Sequence, residues 1–174
     1  MKIFVSLFFG AFLFTFTGSQ AFAQHKNLTV ILFRHAEKDL TDPNAPNPEL
    51  SAEGKLRAEK LINIINKYQP DVIYSTDYIR TRSTVRPLAR KRRAMTLIYD
   101  TRNLNQMRDL ILSGKFKRIV VVGHNNTTPA LVNMLTNQDK YKTLPETEYG
   151  KIWVVKINKN KKKPNKVEEK TFEY

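Results

Sequence analysis

Two rhythms of apolar positions run through this chain. Short, continuous apolar runs of four to six residues, built mostly from Val, Ile, Leu and Phe, are separated by longer stretches in which apolar residues return every three or four positions. Runs of the first kind read as strands buried on both faces, and those of the second as amphipathic helices. The first strand is Leu28 to Phe33. Ser51 is placed to cap a helix reaching about Lys67, with Ala58, Leu61, Ile62 and Ile65 on its buried face and Pro70 as its stop. A short strand at 71–75 follows, so the first crossover is of the parallel, right-handed kind. Ile79 to Arg93 reads as a helix that Pro87 either interrupts or starts, Thr96 to Tyr99 as a strand ending at Asp100, and Leu104 to Leu112 as a helix stopped by Gly114.

Arg118 to Val122 is the strongest strand and runs into Gly123-His124. A Thr or Asn cap with Pro129 in the first turn then marks a helix start. The pattern ends with a strand at 151–157, a lysine-rich hairpin turn at 158–166 and a returning edge strand at 167–174. With no internal repeat and no linker, residues 24–174 read as one α/β domain with a mostly parallel sheet and a C-terminal edge hairpin.

The first 23 residues stand apart. Lys2 is followed by a nearly unbroken apolar run from Ile3 to Phe16, and Ala21-Phe22-Ala23 offers a small-x-small site. This is the pattern of a secretory signal peptide cleaved after Ala23. An uncleaved anchor is the alternative, but the run is shorter than the roughly 20 residues a span needs. The expected destination is therefore export, to a periplasm or outside the cell, with no stable membrane insertion once the leader is removed. Cysteine is absent, which excludes disulfides and a lipid-modified N-terminal cysteine.

Charge narrows the class of partner. Thirty Lys and Arg against sixteen Asp and Glu give +14, and the leader carries one lysine and no acid, leaving +13 on residues 24–174. Such a surplus favours anionic ligands. Between Asp77 and Asp100 lie seven basic residues and no acid; most of that run, Arg82 and Arg86 included, reads as a solvated face. The basic stretches lack interleaved aromatics, so nucleic acid is not the expected partner. The loop Asp39–Glu49, with three prolines, lacks the glycine at the sixth and the bidentate glutamate at the twelfth position of a calcium loop, and neither a metal nor a cofactor is expected.

Candidate chemistry collects at strand ends. Arg34-His35 ends the first strand, Ser75 leads to Arg80, and His124 opens a helix after the strongest strand. In a parallel sheet these carboxyl ends face one crevice, which Asp100 can join. Two arginines and two imidazoles suit a phosphoryl dianion, because guanidinium forks pair phosphate oxygens and a helix start adds N–H groups. An imidazole beside guanidinium charge is pushed toward neutrality and keeps a lone pair able to attack phosphorus. Asp100 becomes a proton donor for the leaving group if burial raises its pKa.

These residues resemble the histidine phosphatase superfamily, also called phosphoglycerate mutase-like, in its branch with short insertions. Leu32-Phe-Arg-His-Ala-Glu37 resembles its Arg-His-Gly-Glu signature. The stretch Glu49–Ala58 is similar to its Leu-Thr-x-x-Gly-x-x-Gln-Ala segment, Tyr74–Thr84 to Ser-Ser-x-x-x-Arg-x-x-x-Thr-Ala, and Val122–Asn125 to Ser-His-Gly. The resemblance implies a three-layer α/β/α sandwich, with His35 as the nucleophile forming a phosphohistidine and Arg34, Arg80 and His124 binding the phosphoryl group. Asn125 replaces a glycine and offers its backbone N–H; Thr41 falls where mutase-like members place a phosphate-contacting asparagine. No glutamate occurs between Glu59 and Glu146, where many members keep their acid, so Asp100, ahead of Asp109, is the replacement; Glu37 is left a structural role, orienting an arginine.

The expected activity is hydrolysis of a phosphomonoester or phosphoramidate on a phosphorylated small molecule or side chain. The alternatives are an inactive phosphate- or polyanion-binding domain and, behind it, a phosphomutase, for which the space between Ser75 and Arg118 is short.

Overall fold

A computed structural model describes residues 27–159 and 165–172. The proposed leader, His25, the tip of the C-terminal turn and the last two residues lie outside the described residues. Eleven segments of regular structure follow in order: β1 (Asn27–Arg34), α1 (Ala52–Ile65) with a 3-10 turn at Asn66–Tyr68, β2 (Val72–Ser75), α2 (Ile79–Arg92), β3 (Thr96–Ile98), α3 (Leu104–Leu112), β4 (Arg118–Gly123), α4 (Thr127–Thr136), β5 (Lys151–Asn158) and β6 (Lys166–Thr171).

The strands form one sheet in the order β3-β2-β4-β1-β5-β6. Pairs β3–β2, β2–β4 and β4–β1 are parallel, and β1–β5 and β5–β6 antiparallel. The mostly parallel sheet and the edge hairpin are as the sequence pattern predicts. β1 is interior, flanked by β4 and β5, which explains its unbroken apolar run. Its side chains divide by parity. Leu28, Val30 and Leu32 pack with Met107 and Ile111 of α3 and Leu131, Val132 and Leu135 of α4. Ile31 and Phe33 pack with Leu61 and Ile65 of α1 and Val85 and Leu88 of α2. Two cores on opposite faces of one sheet make a three-layer α/β/α sandwich.

Helix ends follow local chemistry. The Ser51 hydroxyl accepts from Gly54 N at 3.1 Å, as expected of the cap. Helix α2 departs from expectation: it runs through Pro87 without interruption. Proline removes the N–H that would bond the Ser83 carbonyl, but Thr81, Thr84, Val85 and Leu88 are buried on one face, and that packing outweighs a single missing bond. Tyr78 makes no side-chain cap for α2; instead Asn47, from the proline-rich loop, accepts from Ile79 N at 3.0 Å. The loop is thereby tied to the start of α2.

The end of β1 is also held to the start of α1. A Cβ built on Gly54 would lie 2.2 Å from the Glu37 carbonyl oxygen, so only glycine lets the helix approach so closely. Substitution Gly54→Ala should therefore destabilise the protein by about 1–3 kcal/mol in urea unfolding, despite the ~1 kcal/mol that alanine gains in an unconstrained helix. A neutral or stabilising result would show that the two segments are not in fixed contact.

Candidate active site

The carboxyl ends of the adjacent parallel strands β1 and β4 bring two histidines together. His35 N donates to Gly123 O at 3.0 Å, extending the ladder one residue beyond the paired strand. The rings of His35 and His124 stand 5.5 Å apart, 70° from coplanar. Gly123 must be small: a Cβ there would lie 2.7 Å from the Tyr99 hydroxyl and 2.9 Å from that of Thr128. After His124 the chain turns directly into α4, the Thr127 hydroxyl accepting from His124 N at 3.1 Å.

His35 is 3 % exposed. Its Nδ1 lies 2.7 Å from the Ala36 carbonyl, which can only accept, so Nδ1 carries the hydrogen. The Arg80 Nε–H, 3.1 Å from Nε2, can only donate. Both contacts select one neutral tautomer, with the Nε2 lone pair facing Arg80. Burial pushes the His35 pKa down to about 3, helped by the charges of Arg80 and Arg34 and by His124, and opposed by the Ala36 bond. Burial also lowers His124 to about 4, with Arg80 and Arg34 adding to it. Its Nε2 lies 3.1 Å from the Thr76 hydroxyl.

Two aromatic rings hold the arginines. Arg80 lies over the Tyr78 ring at 4.4 Å, and that ring meets His124 edge-on at 5.0 Å. Arg34, 2 % exposed, lies 4.2 Å over Tyr149. Its Nη1 donates to the carbonyls of Pro145, Glu146 and Glu148 at 2.9–3.1 Å, and its Nη2 to Glu146 Oε2 at 2.6 Å. The loop itself is braced by Ala36 N donating to Thr84 Oγ1 and by a bidentate Arg57–Glu37 pair. Glu37 thus orients an arginine, in the structural role expected of it.

The sequence model of the histidine phosphatase superfamily (branch 1) matches residues 30–102. The described fold also superposes on solved structures. One is a protein assigned as the phosphohistidine phosphatase SixA of Agrobacterium tumefaciens, at TM-score 0.63 and 19 % identity over 82 % of this chain and 97 % of the other. The protein histidine phosphatase SixA complexed with tungstate aligns at 0.64, with 12 % identity over 83 % and 97 %. A mycobacterial glucosyl-3-phosphoglycerate phosphatase aligns at 0.64, with 12 % identity over 84 % and 98 %. Over residues 30–102 the chain is thus similar to the histidine phosphatase superfamily, and the described residues share the fold of these solved structures. No curated protein matches it by sequence.

Among the candidate residues, Arg34, His35, Arg80 and His124 come together. Asn125 lies at the rim, its Nδ2 donating to Glu146 Oε1 at 2.8 Å, so its side chain engages the loop after α4. Asp100 differs from its expected state. It lines a crevice of about 840 Å³ with Thr76, Tyr78 and Arg102, but at the surface. Bonds from the Arg102 side chain and backbone hold its carboxyl below the usual range, opposite to the raised pKa that a proton donor needs. Asp109 pairs with Arg108 on the exposed side of α3. Thr41 sits in the exposed proline-rich loop, its N bonded to Asp39 Oδ1, and lines a separate crevice of about 660 Å³ that also holds Glu146 and Tyr149. Arg82 pairs with Asp77, and Arg86 lies with Arg90 along an outer groove of α2, on the solvated face expected for them.

Sequence reasoning missed the groups that orient this cluster: Thr76, Tyr78, Thr84, Glu146 and Tyr149. Thr76 and Thr84 stand where the matched segment carries its second serine and its threonine, and Tyr78 at an unspecified position between them, but only the arginine was given a role. Glu146 and Tyr149 lie between α4 and β5, where no periodicity marks them. Among the described residues, no group of three or more His, Cys, Asp or Glu is placed to hold a metal ion, and no helix is long and apolar enough to cross a membrane.

Both imidazoles are expected to stay neutral from pH 8 down to about pH 5, which ¹⁵N-edited NMR of the ring nitrogens can follow. Folding depresses both values, so between the ordinary value of 6.5 and the folded values the unfolded chain binds more protons. The stability present above pH 6.5 should therefore fall as pH drops toward 4. In His35→Ala that slope should be shallower; an unchanged slope would remove His35 as its source.

Proposed function

We propose that this protein is a phosphatase that hydrolyses a phosphomonoester or phosphoramidate through a phosphohistidine on His35. The observation that carries this reading is the His35 ring: Nδ1–H fixed on the Ala36 carbonyl, and an Nε2 lone pair kept free of protons by burial and by two arginines. In the first step the Arg80 N–H that rests on Nε2 turns to a phosphoryl oxygen, and the freed Nε2 lone pair attacks phosphorus. The bond to the leaving oxygen or nitrogen breaks with its electron pair, and Arg34, Arg80 and His124 offset the charge on the equatorial oxygens. In the second step water attacks phosphorus, the P–N bond breaks, and the neutral imidazole returns with release of inorganic phosphate. The family-model match over residues 30–102 and the likeness to enzymes described as phosphatases support hydrolysis; the tungstate bound in one of them is a tetrahedral dianion of the same shape as phosphate.

The substrate is read as a phosphorylated small molecule or protein side chain. The ionised state of Asp100 favours leaving groups that need little protonation, phosphoramidates among them. The basic and apolar pattern of residues 1–23 supports export as the setting, with the phosphatase working in a periplasm or outside the cell.

With residues 24–174 and an aryl phosphate, His35→Ala should abolish turnover and the acid-labile phosphoenzyme together. Equal phosphate release by wild type and His35→Ala would end the catalytic reading. Arg34→Ala and Arg80→Ala should each lose at least about 2.7 kcal/mol of transition-state stabilisation, roughly a hundredfold in kcat/KM. Less than tenfold for both would overturn the clamp.

A further inference from the structure

Glu146 occupies a position that its sequence surroundings do not explain. The side chain is 65 % exposed on the rim, yet Oε2 reaches in to the buried Arg34 Nη2 at 2.6 Å while Oε1 accepts from Asn125 Nδ2 at 2.8 Å. Burial lowers the Arg80 pKa, and Glu146 is close enough to act against that lowering. The carboxylate therefore lies among the cations assigned above to the phosphoryl group. Arg34 offers a further sign that this arrangement is a resting one: its Nε is buried without a hydrogen-bond partner while its two Nη atoms are engaged. A guanidinium removed from water requires an anion or acceptors around it. Three backbone carbonyls meet part of that need and would remain if the carboxylate left.

We propose that Glu146 is the internal competitor of the substrate: its carboxylate takes the Arg34 anion position in the free enzyme and must swing into solvent before a phosphoryl group can enter. The proposal rests on the reading of the pocket as a phosphoryl site. Its physical basis is that the two anions need the same N–H group. A phosphoryl dianion displaces the carboxylate because it engages Arg34, Arg80 and His124 together, whereas Glu146 is bonded to Arg34 and Asn125. The exposed side of Glu146 gives it somewhere to go. Glu146 thus sets the affinity threshold of the site, reducing apparent binding by the fraction of molecules in which it is seated. Weak anions that meet only one arginine are excluded.

Direct calorimetric binding of tungstate and perrhenate tests this, because the two are tetrahedral oxyanions differing by one charge. Glu146→Ala should bind both about tenfold more tightly than wild type, the scale of one partly exposed charge-assisted bond. Vacating the position precedes either ligand, so the gain should be the same for both. Glu146→Gln, which retains a neutral acceptor, should fall between wild type and Glu146→Ala and covers the case in which the alanine variant does not fold. A carboxylate that stayed in place would repel the dianion twice as strongly, and its removal would tighten tungstate by the square of the perrhenate gain. That unequal result overturns displacement, as do unchanged or weaker affinities in both variants. If wild type and both variants bind neither oxyanion, the phosphoryl-site reading fails and the competitor role falls with it. Binding by wild type without tightening in the variants refutes the competitor alone.

Discussion

A guanidinium buried at the end of the central strand has to be surrounded by acceptors, and much of this structure supplies them. Arg34 follows Phe33 in β1 directly, so the packing of the strand fixes where its charge must sit. No neighbour in β1 can satisfy it. The acceptors come from more than a hundred residues away, as the carbonyls of Pro145, Glu146 and Glu148, and Tyr149 covers the guanidinium face. The segment between α4 and β5 has no regular structure of its own over these residues; Arg34 and a bond from Leu144 N to Asn125 O give it its path. Removing the charge from β1 would take away the anchor of that loop.

The same burial sets the chemistry of the histidines. Imidazoles in water are half protonated near neutral pH. Here exclusion of water and the nearby arginines hold both neutral, and the two bonds on His35 choose which nitrogen keeps its lone pair. Neutral imidazoles beside two arginines stay in place on a closely packed sheet. Val121 and Val122 of β4 and Leu32 and Phe33 of β1 are buried on both faces immediately below the site. The Arg57–Glu37 pair extends that packing outward, joining the active loop to α1 and, through Arg57 Nη1 and the Phe172 carbonyl, to the end of β6.

The architecture could be read from the chain because strand and helix periods differ and are repeated over many residues. Every strand and helix expected between Leu28 and Ile157 occurs, and their boundaries shift by no more than a few residues. Pro87 was misread because a local backbone rule was set against packing that only the assembled sheet provides. The four-residue cluster of Arg34, His35, Arg80 and His124 was legible for a related reason. Arg34, His35 and His124 stand at or just after a strand end and Arg80 in the first turn of the helix that follows one, and parallel strands bring such ends to one side.

What the sequence determined by itself, then, was the α/β sandwich and the convergence of those four side chains. Tertiary structure decided how they are held and which acids attend them. Asp100 follows β3 just as the others follow their strands, yet β3 is the sheet edge, where Arg102 and solvent keep the carboxylate ionised. Glu146 has no such position in the pattern, yet it reaches Arg34. The reason is physical: periodicity encodes which face of an element is buried, while an ion pair across 112 residues depends on the path of an irregular loop, which has no period to read.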